Sequence, residues 1–430
     1  MAMAHARELH VFLMGVPVAV VRAGAGGRLS LSYTSDWRDS GNAQSISLSL
    51  PYTQTDHTHR PVLAYMSNLL PDNQDILEGW AAEFGVSARN PFGLLAHMGE
   101  DCAGAVQFVR EERFDAVLTS PGSVDPISED EIAAALARIR RNAAPWGDQE
   151  DRKGMFSLAG AQAKIALAKI DTGWGRPDGR AASTHILKPP ADLRFPGIEI
   201  NEHVCLNLAR RLGIPAAASS VERFGDQVAI VVERFDRFSD HGSVKRLHQE
   251  DSCQALGIPP SQKYQHSGGP GFSELAELAR THSADPDADL QQLLGAAAFN
   301  WIIGGTDGHA KNYSWFITTG DEIRTTPLYD LISSLQYYDV ADDDLRMAMT
   351  VGGGARILGV RREHWYKMAE ILGAEDLELV RYVRDLAEAV PAAVAEVTEA
   401  AADDGLEASV LDRLRVAITS QAERCSAILA

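Results

Sequence analysis

The sequence predicts an α+β protein in three parts: a small α+β unit, a β-rich lobe and a helical lobe. Three patterns point there. Short β-type runs broken by glycine fill residues 8–52, similar runs return over 155–236 with one helix inserted, and beyond 245 the apolar spacing is mostly helical.

In the first part, LHVFLM, VPVAVVR, RLSLSYT and SISLSLP read as strands, separated by Gly15 and by the Ala-Gly-Ala-Gly-Gly run at 23–27. The period then changes. MSNLLPDNQDILEGWAAEFG and NPFGLLAHMG place apolar residues at helical spacing between 66 and 99. The unit is expected to span 1–112, with a connector over 113–150. In the connector TSPGSVDP reads as turn-rich, and Ser128 with Glu131 has the form of a capping box opening a helix to about Arg141. The β-rich lobe is expected over 151–236. FSLAGAQAKIALAKI reads as strand, small-residue turn and strand, STHILK as a third strand, and VAIVVERF as a buried one. NEHVCLNLARRL is the inserted helix, with Asn201 as its expected N-cap. The helical lobe, 237–430, includes FSELAELAR, LQQLLGAAAFNWIIGG and HWYKMAEIL, then long Ala/Glu-rich helices whose Leu and Val mark them as packed.

Composition limits the function. A net charge of −19 over 430 residues repels a phosphate backbone and excludes a free-standing DNA binder. Cys102, Cys205, Cys253 and Cys425 are scattered, so reduced thiols are expected rather than a zinc site. MAMAHARELH lacks the basic region and apolar run of a signal peptide, and no apolar stretch reaches the ~20 residues of a membrane span, so a cytoplasmic location is expected.

The densest chemical signal is Gly304-Gly305-Thr306-Asp307-Gly308-His309-Ala310-Lys311-Asn312, placed where an apolar helix stops. Asp307 and Asn312 have the Asp-x-x-x-x-Asn spacing of a kinase catalytic loop. Phosphoryl transfer needs a carboxylate to take the acceptor proton and an oxygen ligand for Mg²⁺, roles that suit Asp307 and Asn312. Asp330, in PLYDLIS, fits a second metal ligand, although the tripeptide is Asp-Leu-Ile rather than Asp-Phe-Gly. Lys188 ends a strand and precedes a helix bearing Glu202, the order of a phosphate-holding lysine and its glutamate, with Glu199 as a competitor. Ala159-Gly160-Ala161-Gln162-Ala163-Lys164 is small enough for backbone N–H groups to approach phosphate. Glu233, Arg234 and Phe235 follow a buried strand, as an adenine-binding hinge would.

Each pattern has a plain structural alternative. Asp-x-x-x-x-Asn also describes a loop with Asx turns, Asp330 a helix cap, Lys188 a solvated strand end, and Glu202 a carboxylate at a helix N-terminus. His309 reads better as a loop histidine ordering its neighbours than as a base. The order of the signals favours a bilobal protein-kinase-like core, because it is the order in which a kinase meets ATP and metal. The basic run Arg356, Arg361, Arg362 and Lys367 reads as a solvated face.

At this point the chain resembles the HipA family of toxin kinases from bacterial toxin–antitoxin systems. The resemblance runs through SNLLPDN and FGLLAHMGEDCAGAVQF in the N-terminal unit, then FSLAGAQAK, STHILKP, NEHVCLNLARRLGI, VVERFDR, RLHQEDSCQALGIPPSQKY, GGTDGHAKNYS and PLYDLIS. It implies an ATP- and Mg²⁺-dependent serine/threonine kinase with an N-terminal subdomain. It implies that 159–164 is the phosphate loop, that Lys188 and the hinge Glu233–Phe235 bind the nucleotide, and that Asp307 is the base. His309, Lys311, Asn312, Tyr329 and Asp330 would line the phosphate and metal site, with Asn312 and Asp330 on the metal. Ser157 would be an autophosphorylation site that silences the enzyme, since a phosphate of charge near −2 cannot sit beside those of ATP. The family's substrates are translation components, notably an aminoacyl-tRNA synthetase such as glutamyl-tRNA synthetase, and their modification arrests growth. Its partner is a small helix-turn-helix, HipB-like antitoxin through which DNA is reached. Two departures stand out: Ala163 replaces a usual acidic residue and Gly305 a usual asparagine. RLHQEDSCQALGIPPSQKY has no direct chemical reading and either packs the lobe or touches the protein substrate. The alternatives are a small-molecule kinase and a catalytically weak, antitoxin-bound transcriptional co-repressor.

Overall fold

Alternating apolar and polar residues form the first sheet. In the computed structural model, which describes residues 7–141, 156–157, 159–160, 162–190, 195–338 and 344–430, five strands pair antiparallel. They are β1 (Glu8–Leu13), β2 (Val16–Ala23), β3 (Leu29–Tyr33), β4 (Asp56–His57) and β5 (Val106–Val109), in the order β4–β3–β2–β1–β5. The helices His59–Asn68, Gln74–Phe84 and Pro91–Met98 cover the sheet, and their Met66, Trp80 and Leu95 share one core with Val11, Val21 and Leu31. Asn73 and Asn90 cap two of these helices by accepting from first-turn amides.

SISLSLP is not a strand. Among the described residues its only bridge is Ser47 to Leu50. The backbone donors that a ladder would use are taken elsewhere: Ser45 N donates to Asp321 Oδ1, Ile46 N to the Tyr33 hydroxyl and Leu48 N to Glu250 Oε1.

The chain divides into two compact units. The first contains Met1–Ala191, Glu222–Pro260 and Trp315–Glu322. Beside the sheet above it carries a second, with strands β6 (Ser123–Ile127), β7 (Ile165–Ile170), β8 (Gly173–Asp178), β9 (His185–Lys188), β10 (Ser219–Phe224) and β11 (Gln227–Glu233). Their order is β10–β11–β9–β7–β8–β6, and the division between units falls within β10. The expected turn-rich TSPGSVDP is therefore partly a strand. It lies at the sheet edge, where Pro126 removes no needed ladder donor. The Ser128 capping box is present, with Ser128 N donating to Glu131 Oε2 at 2.8 Å, and it opens the helix Glu129–Ile139. Ile132, Leu136 and Ile139 of that helix pack on Ile165, Leu167 and Leu187. The rest of the expected connector, 142–150, lies outside the described residues.

The second unit contains Asp192–Val221, Ser261–Ser314 and Ile323–Ala430. At its centre the helix Pro286–Ile303 is buried at every position from Leu293 onward, as a run apolar on every face apart from Asn300 requires. Asp285 caps its start and Gly304, at φ 65°, ends it. The tail folds as the packed helices Asp376–Asp403 and Ala408–Leu429, burying Val383, Val390, Val394, Leu411, Leu414 and Ile418. Asn201 is not an N-cap. The helix Ile198–Arg211 starts after Gly197, whose φ of 72° breaks the chain direction earlier than the polar residue suggests. Asn201 lies buried inside, where its amide donates to Ser333 O and accepts from Ser333 N. Among the described residues no helix is long and apolar enough to cross a membrane.

Candidate active site

In the second unit the central helix delivers the loop that carries Asp307. A Cβ on Gly304 would strike Leu335, and one on Gly305 would lie 2.5 Å from Asn300 Oδ1. Asn300 thus fills the space beneath the loop, donating to Ala296 O and to the Tyr313 hydroxyl. This explains why the residue before Thr306 is glycine here rather than asparagine.

Asp307 is exposed. Its carbonyl accepts from His309 N at 2.8 Å and from Asn312 Nδ2 at 3.0 Å, which closes the loop on itself. That bond uses the amide nitrogen of Asn312 and leaves Oδ1 as a hard oxygen donor. The Asp307 carboxylate is oriented by Tyr264, whose hydroxyl donates to Oδ1 at 2.8 Å. His309 is buried, edge-on to the Tyr264 ring at 5.0 Å. Lys311 is also buried, and its carbonyl accepts from the Tyr329 hydroxyl at 2.6 Å. Ser314 Oγ lies 2.5 Å from the same hydroxyl, and Thr326 N donates to Ser314 O. The segment ending in Asp330 is therefore strapped to the loop ending in Asn312. Leu328 adds a two-bond ladder, donating to Pro215 O and accepting from Ala217 N. Asp330 itself has φ 52°, in the left-handed region that a non-glycine residue occupies at a cost. Glu202 is buried on the Ile198–Arg211 helix, while burial, followed by nearby Glu407, pushes the Glu199 carboxyl upward.

In the first unit the small-residue segment closes on Lys164, whose Nζ donates to Ala159 O at 2.7 Å. Gly160, at φ 116°, leaves room for that ammonium, since a Cβ would sit 2.5 Å from it. Gln162 Nε2 donates to Pro189 O, and Ala163 packs against two cores at once. Ala161 lies outside the described residues. Lys188 is buried at the end of β9, opposite Ile230 of β11. Ser157 is fully buried, donating from N to Asp101 O and from Oγ to Leu69 O, both at 2.9 Å.

At the end of β11, Glu233 is exposed and Phe235 meets Phe316 edge-on. Arg234 is buried, its guanidinium bound to both Asp236 oxygens, Ser183 Oγ and Cys102 O. Arg237 and Arg246 join it around Asp101. Burial alone would raise the Asp101 and Asp236 carboxyls, but the guanidiniums outweigh it and hold both below the usual range.

Sequence reading missed this network, although the close spacing of Arg234, Asp236 and Arg237 was a signal for it. The HQED segment also has its explanation. His248 bonds Ala105 N and Ile46 O, Gln249 bonds Asp236, Glu250 bonds Leu48 N, and Asp251 caps a short helix. All four are buried; His248 and Glu250 bond the N-terminal sheet region and Gln249 bonds Asp236, so this part of the segment packs the fold. Arg356, Arg361 and Arg362 are engaged by Asp344, by Leu358 O and Val360 O, and by the carbonyls of Leu429 and Ala430.

Known proteins resemble this chain along most of its length. The putative kinase Y4mE of Sinorhizobium fredii is 34% identical over 97% of this chain and 98% of its own. The serine/threonine-protein kinase toxin HipA of Shewanella oneidensis is 32% identical over 86% of this chain and 84% of its own. A solved complex of the Shewanella oneidensis MR-1 toxin–antitoxin system HipA, HipB and operator DNA matches with a TM-score of 0.82 and 29% identity, covering 98% of both chains. The class is thereby fixed as a kinase, a phosphotransferase that draws on ATP. The HipA N-terminal domain model matches residues 9–109 and the HipA-like C-terminal domain model 156–395. The chain belongs to the HipA family of serine/threonine kinase toxins.

Proposed function

We propose that this chain transfers the γ-phosphate of ATP to a serine or threonine hydroxyl of a translation component, an aminoacyl-tRNA synthetase such as glutamyl-tRNA synthetase, and so arrests growth and promotes persistence. The observation that carries this is the oriented, exposed Asp307 on a loop closed by Asn312. The acceptor hydroxyl gives its proton to the free Asp307 oxygen. Its own oxygen bonds the γ-phosphorus as the bond to the β–γ bridging oxygen breaks and ADP departs. Asn312 Oδ1 and the Asp330 carboxylate are hard oxygen donors that fit Mg²⁺. When bound, that ion neutralises charge on the β- and γ-phosphates. Lys188 holds the phosphates with Glu202 as its partner, and 159–164 covers them. Glu233 and Phe235 border the adenine, and the contribution of Arg234 falls to its backbone carbonyl, because its side chain is occupied and its N–H donates to Thr184 O.

We further propose the division into an N-terminal subdomain (1–112), a connector (113–150), an N-lobe (151–236) and a C-lobe (237–430). A small basic HipB-like antitoxin, which the net charge of −19 suits, restrains the kinase and brings it to DNA. Autophosphorylation at Ser157 is a second restraint. The hydroxyl must first leave its buried bond to Leu69 O, and a phosphate of charge near −2 cannot return to that apolar position. Incubation with γ-labelled MgATP tests the kinase claim. Wild type should incorporate label and Asp307→Asn should lose at least about a hundredfold in rate; equal labelling by both would overturn it.

A further inference from the structure

We infer that Tyr264 is a positioning residue for the base Asp307, an inference that rests on the kinase reading above. An exposed aspartate samples several side-chain rotamers, and only some aim an oxygen at an acceptor hydroxyl. The 2.8 Å bond from the Tyr264 hydroxyl to Asp307 Oδ1 selects among them. It occupies one carboxylate oxygen and leaves the other to receive the proton. A neutral phenol does this without cancelling the carboxylate charge, as a lysine or arginine at the same place would.

Tyr264 is itself held on several sides. Its carbonyl accepts from Ser267 N and Gly269 N, both at 3.0 Å. The preceding carbonyl, of Lys263, accepts from Ala310 N inside the catalytic loop. The following side chain, Gln265, accepts from Thr350 N at 2.7 Å. Gly269 closes the turn where any Cβ would lie 2.0 Å from Gln262 O. The ring rests edge-on against His309. The segment 262–269 is thus fastened both to the loop it orients and to the Arg346–Val351 strand, so the phenol arrives with little freedom of its own. The closed carbonyl side of Asp307, bound by His309 N and Asn312 Nδ2, fixes the backbone; Tyr264 fixes what the backbone leaves loose.

Tyr264→Phe removes one oxygen and keeps the ring contact with His309. The probe is γ-labelled MgATP with the purified chain as its own acceptor, read as rate at saturation and half-saturating MgATP. Loss of a hydrogen bond to a charged group is expected to lower the saturated rate on the order of 10- to 100-fold. Half-saturation should move less than about twofold and the thermal midpoint less than about 2 °C, because the bond is made to the base and not to ATP. Tyr264→Ala should fall only a few-fold further. A wild-type saturated rate in Tyr264→Phe, beside an inactive Asp307→Asn, would overturn the positioning role and leave the kinase reading intact. So would a loss matched by weakened MgATP binding or by a lowered midpoint, since those mark a structural role. Equal labelling by wild type and Asp307→Asn would instead remove the kinase reading on which this rests.

Discussion

Neutralising Asp236 should destabilise the first unit more than any single surface change. Its carboxylate accepts from Arg234 Nε at 3.0 Å and Nη2 at 2.9 Å, from Gly104 N at 2.6 Å and from Gln249 Nε2 at 3.3 Å, with Arg237 Nη1 at 3.1 Å. Side chains in the cluster are at most 6% exposed, so solvent screens little of the charge. Two carboxylates, Asp101 and Asp236, face three guanidiniums, Arg234, Arg237 and Arg246. In Asp236→Asn one carboxylate is left for three buried cations, and the new amide presents hydrogens where acceptors are needed. Removing one partner of a buried ion pair costs about 3–5 kcal/mol. Against a total stability of about 5–15 kcal/mol this is a fifth or more. Urea unfolding followed by tryptophan fluorescence should show a midpoint drop with unchanged slope. The pH dependence has a definite sign. Both carboxyls are held below their ordinary values, so their stabilisation is present above about pH 4 and is lost as pH falls through the folded values. The variant should therefore also lose part of the acid-side slope. A loss under about 1 kcal/mol with the acid slope unchanged would refute this account, because it would mean that the three guanidiniums need only one counterion.

Two further outcomes follow from the same geometry. Glu250 is raised to about 8 by burial, against which the bond from Leu48 N works. A folded value above the unfolded one means that stability is fully present below about pH 4.5 and falls as pH rises toward about 8. Glu250→Gln, which copies the protonated form, should gain on wild type across that window by up to about 1.4 kcal/mol per pH unit; parallel pH profiles in differential scanning would contradict this. Gly305→Ala would press a Cβ to 2.5 Å from Asn300 Oδ1, break the bond from Asn300 to Tyr313 and tilt the loop 304–312. A cost of about 1–3 kcal/mol and a slower labelling rate are expected, with unchanged rate and midpoint as the opposing result.

What the sequence disclosed, and what it hid, divides along the range of the interactions. The loop 304–312 was readable because its pieces are local: an apolar helix, a left-handed glycine, and the short spacing that lets Asn312 bond Asp307 O. The Ser128 capping box was readable for the same reason. SISLSLP misled because its alternation is that of a strand, while its backbone donors answer to Glu250 and Asp321, more than 200 residues away. Asn201 misled because a polar residue before an apolar run looks like a cap until Ser333, 132 positions later, claims it. Local propensity yields wherever a distant partner satisfies the backbone better.

The same distinction explains the segments that resisted a chemical reading. His248, Gln249 and Glu250 do no chemistry visible from their types, yet each bonds the N-terminal sheet region or Asp236. Asp101, from that region, is the counterion of Arg234, Arg237 and Arg246. The small-residue segment depends on it as well: Ser157 N donates to Asp101 O, Ser157 Oγ donates to Leu69 O, and Gly160 O accepts from Asp72 N. Residues 69–72 and 101–105 thus supply one edge of the segment proposed to cover ATP and one charge of the cluster around Arg234. A core stripped of residues 9–109 would keep three buried guanidiniums with one carboxylate and would leave those backbone groups without partners. The N-terminal domain is therefore part of the scaffold that holds the small-residue segment and the guanidinium cluster, and the motifs that looked chemically silent are the bonds that make it so.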